Sequence, residues 1–278
     1  MTDIQTKSPT IGVFDSGFGG LTVLRALLPL ISGAHYIYLG DTARLPYGSK
    51  SRETIARYAV SSAKFLYKQG AELLVVACNT ATALALDDIQ RALPIPVIGV
   101  VEPGAQAALA VTDTAPNQVL VLATAATVQS HAYTHALNAL GLAAYEKACP
   151  LLVPLVEEGW IDHPVTNEVL KIYLTEALAA APQTRTLLLG CTHYPLIEPA
   201  IHRILTVMGH PLHVIDSAGA TAQAVAAHLK FVTPWSKLAA DSPHCTFYAT
   251  DSIEKFRHLG SNFLDQPIAK VNLIDLGG

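Results

Sequence analysis

The stretch "TLLLGCTHYPLI" (186–197) carries apolar and β-favouring residues into Gly190, then sets Cys191, Thr192 and His193 in consecutive positions ahead of Pro195. Upstream, "LLVVACNTATAL" (73–84) repeats the plan: an apolar run, then Cys78, Asn79 and Thr80. A short unbroken apolar run is how a parallel strand covered on both faces reads. A thiol at the end of such a strand faces the crevice in which open α/β sheets bind ligands. Two strand ends of the same kind point to one paired site.

Runs of this type recur at 10–14, 35–40, 96–101, 118–123 and 212–216. Helical patterns fill the gaps, as at 51–69, 166–181 and 219–230. Strands alternating with helices predict an α/β fold with parallel sheets. A weak internal symmetry divides the chain. "TIGVFDSG" brings Asp15 and Ser16 to a strand end ahead of the Cys78 strand, and "QVLVLATAATV" brings Thr124 to a strand end ahead of the Cys191 strand. The expectation is two similar domains, each a mainly parallel sheet flanked by helices, with the active site in the cleft between them. The boundaries are placed at 1–98, 99–210 and 211–278, the last segment returning to the first domain.

Composition narrows the function. The 278 residues are 51% hydrophobic and only 14% charged, which suits large buried cores and excludes disorder. From Thr114 to Tyr145 there is no charged side chain, but Pro116, Asn117, Gln118, Gln129, His131, His135 and Asn138 interrupt the stretch. No run reaches the roughly 18 apolar residues that a spanning helix needs. The opening "MTDIQTKSPT" lacks the apolar centre of a signal peptide, so a cytoplasmic location is expected. Four cysteines without CxxC spacing should be free thiols in a reducing compartment. A net charge of −4 without a basic run offers no footprint for nucleic acid.

Free cysteine is most often a small buried hydrophobe, and Cys149 and Cys245 keep that reading. Cys78 and Cys191 depart from it, because each closes a strand and has a threonine within two residues. Neighbouring hydroxyls and amides there can bind a substrate or steady a thiolate, and a thiol needs only a modest shift to act as acid or base near neutrality. His193 stands two residues from Cys191 and suits proton transfer. Asp15 in "FDSGFGG" is either a turn residue or a carboxylate that orients the partner of Cys78; the glycines match neither GxGxxG nor a P-loop. In "GDTARLPYGSKS" (40–51), Arg44 and Lys50 read as solvated charges before carboxylate binders, and the backbone near Tyr47 and Gly48 can donate hydrogen bonds. Glu157 and Glu158 in "VPLVEEGW" read first as a solvated acidic pair.

Taken together, "FDSGFGG", "GDTARLPYG", "ACNTATA", "VPLVEEG", "GCTHYPL" and "VIDSA" resemble the glutamate racemases, in that family's order and over nearly the whole chain. The first ten or so residues fall outside the match, and Ala123 stands where glycine is expected. The resemblance implies a cofactor-independent racemase that interconverts L- and D-glutamate, the D-enantiomer feeding peptidoglycan synthesis. It implies that Cys78 and Cys191 lie on opposite faces of the substrate α-carbon. Asp15 then matches the assistant on the Cys78 side, His193 the assistant on the Cys191 side, and Glu157 a further acidic helper. Ser16, Tyr47, Gly48, Asn79, Thr80 and Thr192 match substrate-binding positions, to which Asp15, Thr124 and His193 are added as candidates. No metal, pyridoxal phosphate, nucleic acid or membrane is implied, and a homodimer is one assembly left open.

Other chemistries fit less well. A racemase for aspartate shares the two-thiol logic. A thiol hydrolase built on Cys191 and His193 leaves Cys78 without a task. A zinc site on Cys78, Cys191 and His193 has no fourth ligand suggested by spacing. A Schiff-base racemase needs a lysine at a strand end, and none stands there.

Overall fold

The computed structural model describes residues 8–31, 33–112, 117–232 and 244–277. Residues 1–7, read above for a leader, and 114–116, part of the charge-free stretch, lie outside the described residues. The strands are β1 (Thr10–Asp15), β2 (His35–Gly40), β3 (Leu73–Val76), β4 (Val97–Gly99), β5 (Gln118–Ala123), β6 (Ala143–Ala148), β7 (Thr186–Gly190), β8 (His213–Asp216), β9 (His244–Ala249) and β10 (Asn272–Leu273). The helices are α1 (Leu21–Leu27), α2 (Arg52–Lys68), α3 (Asn79–Ala92), α4 (Val101–Val111), α5 (Ala125–Ser130), α6 (Ala132–Ala139), α7 (Leu152–Glu157), α8 (Pro164–Ala180), α9 (Glu198–Val207), α10 (Ser217–Val232) and α11 (Ile253–Leu264).

Two sheets form, of six strands in the order β10-β9-β2-β1-β3-β4 and of four in the order β6-β5-β7-β8, and every pairing is parallel. The order 2-1-3-4 in the first sheet is repeated as 6-5-7-8 in the second, which is the topological form of the internal symmetry. In each sheet the chain leaves a central strand to one side, then crosses to the other. The switch point therefore falls between β1 and β3, and again between β5 and β7, where ligand crevices open at the carboxyl ends of the strands.

β6 and β10 were not foreseen from the sequence, because both are edge strands. "AAYEKA" carries Glu146 and Lys147 and is half-exposed, and β10 has two residues. The central β9 was also missed. The sequence boundary at 211 needs correction: β8 lies beyond it yet pairs with β7 in the second sheet, and the return to the first sheet begins with β9 on β2.

Helices form where capping and patterning agree. In α2 the Ser51 hydroxyl accepts from Thr54 N, Glu53 sits in the first turn, Lys68 in the last, and Ile55, Ala59, Ala63 and Leu66 bury one stripe. One apolar cluster runs continuously from β1–β3 through α1 and α10 to β5 and β7, so the two sheets share a core. All four cysteines are free thiols, and among the described residues no helix is long and apolar enough to cross a membrane.

Candidate active site

The register of the sheets brings the motifs together. Phe14 pairs with Val76, so the chain leaving β1 at Asp15 and Ser16 runs beside the chain leaving β3 at Cys78. Ala123 pairs with Gly190, so Thr124 runs beside Cys191. A cavity of about 340 Å³ opens between these four strand ends. Ser16, Cys78, Asn79 and Thr80 line it from the first sheet, Thr124, Cys191, Thr192 and His193 from the second, with Tyr47, Gly48 and Glu157 completing the wall. Both candidate thiols thus reach one cavity, on opposite sheets.

Cys78 is the N-cap of α3. Its sulfur accepts from Ala81 N at 3.4 Å and donates to Ser16 Oγ at 3.4 Å. Burial pushes the Cys78 thiol up to about 12, with the Asp15 charge adding to the rise and the Ser16 and Ala81 hydrogen bonds opposing it. Asp15 differs from its expected place as a substrate contact. It is fully buried and does not line the cavity, because Gly17 N draws its Oδ2 in at 2.8 Å within the turn that follows β1. Burial raises the Asp15 carboxyl, partly countered by the charge of His193. It lies behind the wall, where its charge adds to the rise of the Cys78 thiol.

On the other side, Cys191 Sγ lies 3.9 Å from His193 Nδ1, and His193 Nε2 lies 3.1 Å from Glu157 Oε1. Burial depresses the imidazole, but hydrogen bonds to Cys191 and Glu157, reinforced by their charges, prevail and push it up to about 10. Glu157 meets a burial penalty of its own, and His193 with Lys255 nevertheless holds its carboxyl below the usual range. The two shifts run in opposite directions, each favouring the charged form, as in a hydrogen-bonded imidazole–carboxylate pair. Glu157 lines the cavity, is largely buried and pairs with His193, so it is not a solvated charge; Glu158 is exposed and also lines the cavity.

The donors between the thiols are fixed across the two sheets. Thr80 Oγ1 meets Thr124 Oγ1 at 2.9 Å and Thr127 Oγ1 at 3.2 Å, and the latter two meet at 2.9 Å. Tyr133 OH donates to Asn79 Oδ1 at 2.6 Å, and Asn79 Nδ2 donates to Ser217 Oγ at 3.4 Å. Thr22 Oγ1 donates to Thr192 O at 3.1 Å, and Gly19 lies so close to this loop that a Cβ there would sit 2.5 Å from His193 Nδ1. Tyr47 is held by a 2.5 Å bond from its hydroxyl to buried Asp41. Asp41 also pairs with Arg44 at 2.8 Å, and the Arg44 side chain is 10% exposed, so Arg44 braces the 41–50 loop and is neither a surface charge nor a cavity residue. Lys50 donates to Pro46 O at 2.9 Å and does not line the cavity.

Several participants were not legible in the sequence. Tyr133, Thr127 and Lys255 carry no motif signal of a role, Ser217 stands in "VIDSA" without a role assigned to it, and Cys149, read as a small buried hydrophobe, lines the cavity although fully buried. Among the described residues no group of three or more His, Cys, Asp or Glu is arranged to hold a metal, and no lysine or arginine lines the cavity.

A doubly repeated parallel α/β sheet with a thiol at each switch point defines a class of protein. Residues 11–225 match the sequence profile of the Asp/Glu/Hydantoin racemase family, and the chain belongs to that family. Among relatives, the glutamate racemase of Koribacter versatilis (strain Ellin345) is 51% identical, covering 99% of this chain and 100% of its own. That of Syntrophus aciditrophicus (strain SB) is 43% identical over 96% of each. A crystal structure of glutamate racemase from Francisella tularensis in complex with D-glutamate superposes with a TM-score of 0.86 at 35% identity, covering 97% of this chain and 98% of that one.

Proposed function

We infer that this chain interconverts L- and D-glutamate, with Cys78 and Cys191 as the two acid/base groups. Racemisation removes a proton from one face of the α-carbon and returns one to the other. One sulfur must enter as thiolate and leave as thiol while its partner does the reverse, so charge balances over each turnover. The observation that carries this assignment is the pair of strand-end thiols reaching one cavity from opposite sheets. Their surroundings differ in the needed sense. Burial keeps Cys78 protonated, and Cys191 has an imidazolium partner. Asp15 on one side and His193 with Glu157 on the other adjust those states as the proton moves.

The α-proton is a far weaker acid than a thiol, so the carbanion-like transition state needs preorganised donors. Ser16, Asn79, Thr80, Thr124 and Thr192, with the free backbone amides opening α3 and those near Tyr47 and Gly48, are the donors available to the two carboxylates. A wall without lysine or arginine leaves hydrogen bonds to hold the dianion, and leaves no lysine there for a Schiff base. The substrate is a small molecule, the product serves peptidoglycan synthesis, and the reaction requires neither organic cofactor nor metal. A cytoplasmic homodimer without nucleic-acid or membrane partners completes the reading; sedimentation and fractionation test it.

Cys191, His193 and Glu157 are also in the order of a thiol-hydrolase triad, and one experiment separates the two readings. Deuterium incorporation at the α-carbon from D2O is followed for both glutamate enantiomers in wild type, Cys78→Ser and Cys191→Ser. Each replacement is expected to lower racemisation by about 10²–10⁴-fold, the usual contribution of an acid/base group. Full racemisation by Cys78→Ser defeats the two-thiol assignment.

A further inference from the structure

The C-terminal helix α11 belongs to the first sheet's side of the molecule, yet it touches the second sheet's half of the catalytic relay. Lys255 Nζ lies 3.8 Å from Glu157 Oε2, while the other oxygen of the same carboxylate takes His193. Eight residues on, Phe263 sets its ring edge-on to the His193 imidazole, with centroids 5.1 Å apart and planes at 79°. The helix is anchored by Phe256, which packs on Phe18 and Tyr38 at 5.7 and 5.8 Å, and Lys255 Nζ lies 5.7 Å from the Phe18 ring centre. A charge and an aromatic edge on one helix therefore hold both members of the pair behind Cys191.

We propose that Lys255 is a positioning residue for the racemisation: it keeps Glu157 ionised and aimed at His193, and so acts on Cys191 through two intervening side chains. Lys255 does not itself line the cavity and reaches it only through Glu157. Splitting the two carboxylate oxygens between an ammonium and an imidazole fixes the rotation of Glu157, which a carboxylate with one partner leaves free. The charged and titratable groups facing this relay are Asp15 at the end of β1, Cys149 after β6, Cys191 and His193 after β7, and Lys255 from α11. Lys255 and His193 are the cations in this set.

The inference rests on the proposed racemase reading, and its test has an arm independent of activity. The Glu157 carboxyl carbon is titrated by NMR in wild type, Lys255→Met and Lys255→Arg. Removing a half-exposed cation should move the Glu157 titration upward by about 0.3–0.7 pH unit, a two- to fivefold change in proton affinity, and arginine should restore it. In parallel, the low-pH limb of kcat/KM for glutamate should rise by the same amount in Lys255→Met, with kcat lowered severalfold and KM little changed. A Glu157 titration that does not move overturns the proposal, whatever the activity. So does a kinetic loss that arginine fails to restore. Absence of racemisation in the wild type strikes the racemase reading instead.

Discussion

A single methyl group at position 19 tests how tightly the two halves of the site are locked. An ideal Cβ on Gly19 falls 2.2 Å from Thr192 Oγ1, 2.5 Å from His193 Nδ1 and 2.7 Å from His193 Cε1. Ordinary contact begins near 3.4 Å, so each of those atoms must retreat by about 1 Å. The φ of Gly19 is outside the left-handed region, so no left-handed backbone strain adds to the cost of this contact in Gly19→Ala. The retreat is resisted. Thr192 O is held by Thr22, and His193 is held by Glu157 on one side and the edge of Phe263 on the other. Overpacking of a filled interior costs about 1–3 kcal/mol, and a 1 Å misplacement at a reacting group can cost about 10²-fold in rate. Gly19→Ala is therefore expected to lower Tm by several degrees and kcat/KM by about 10²-fold. Circular dichroism of L- and D-glutamate solutions gives the rate in both directions, and thermal unfolding gives the stability. Enantiomers have equal free energies, so kcat/KM must fall equally for both, which checks the assay. Activity within twofold of wild type, at unchanged Tm, refutes the claim that this loop sets the position of His193.

Two further substitutions probe separate parts of the frame. Tyr133→Phe removes the 2.6 Å bond to buried Asn79 Oδ1 and leaves that oxygen without its donor, at a cost of about 1–3 kcal/mol; urea unfolding should show the loss, with a raised KM for glutamate, and unchanged values for both contradict it. His193, pushed from 6.5 up to about 10, stabilises the fold fully below pH 6.5, and that stabilisation is lost as pH rises through about 10. Relative to His193→Gln, wild type should therefore gain most near pH 6 and progressively less toward pH 10; a gap that widens with pH contradicts the ionic relay.

Much of this arrangement is written locally. An apolar run ending in a thiol followed by Asn-Thr or Thr-His reads locally as a strand giving way to a polar segment, which after β3 is the start of α3, so β3, β7 and their cysteines are readable from neighbouring residues. The same holds for β1 with Asp15 and Ser16, and for Thr124, which caps α5 by accepting from Thr127 N. Edge strands are harder. Only one side of β6 finds a partner strand, so its sequence can carry Glu146 and Lys147 and loses the apolar signature. The position of β8 was misjudged for a related reason: an apolar run announces a strand, but not which sheet will pair with it.

What the chain determined by itself was the alternation of strands and helices, the two thiol-bearing strand ends, and the residue types that surround them. Only the tertiary structure decided that Asp15 sits behind the wall, that Arg44 braces a loop, and that Tyr133, Ser217 and Lys255 serve residues 54, 138 and 98 positions away in sequence. The reason is physical. Strand and turn preferences act over a few bonds, whereas burial, shared hydrogen bonds and charge pairing depend on which distant segments the core brings into contact.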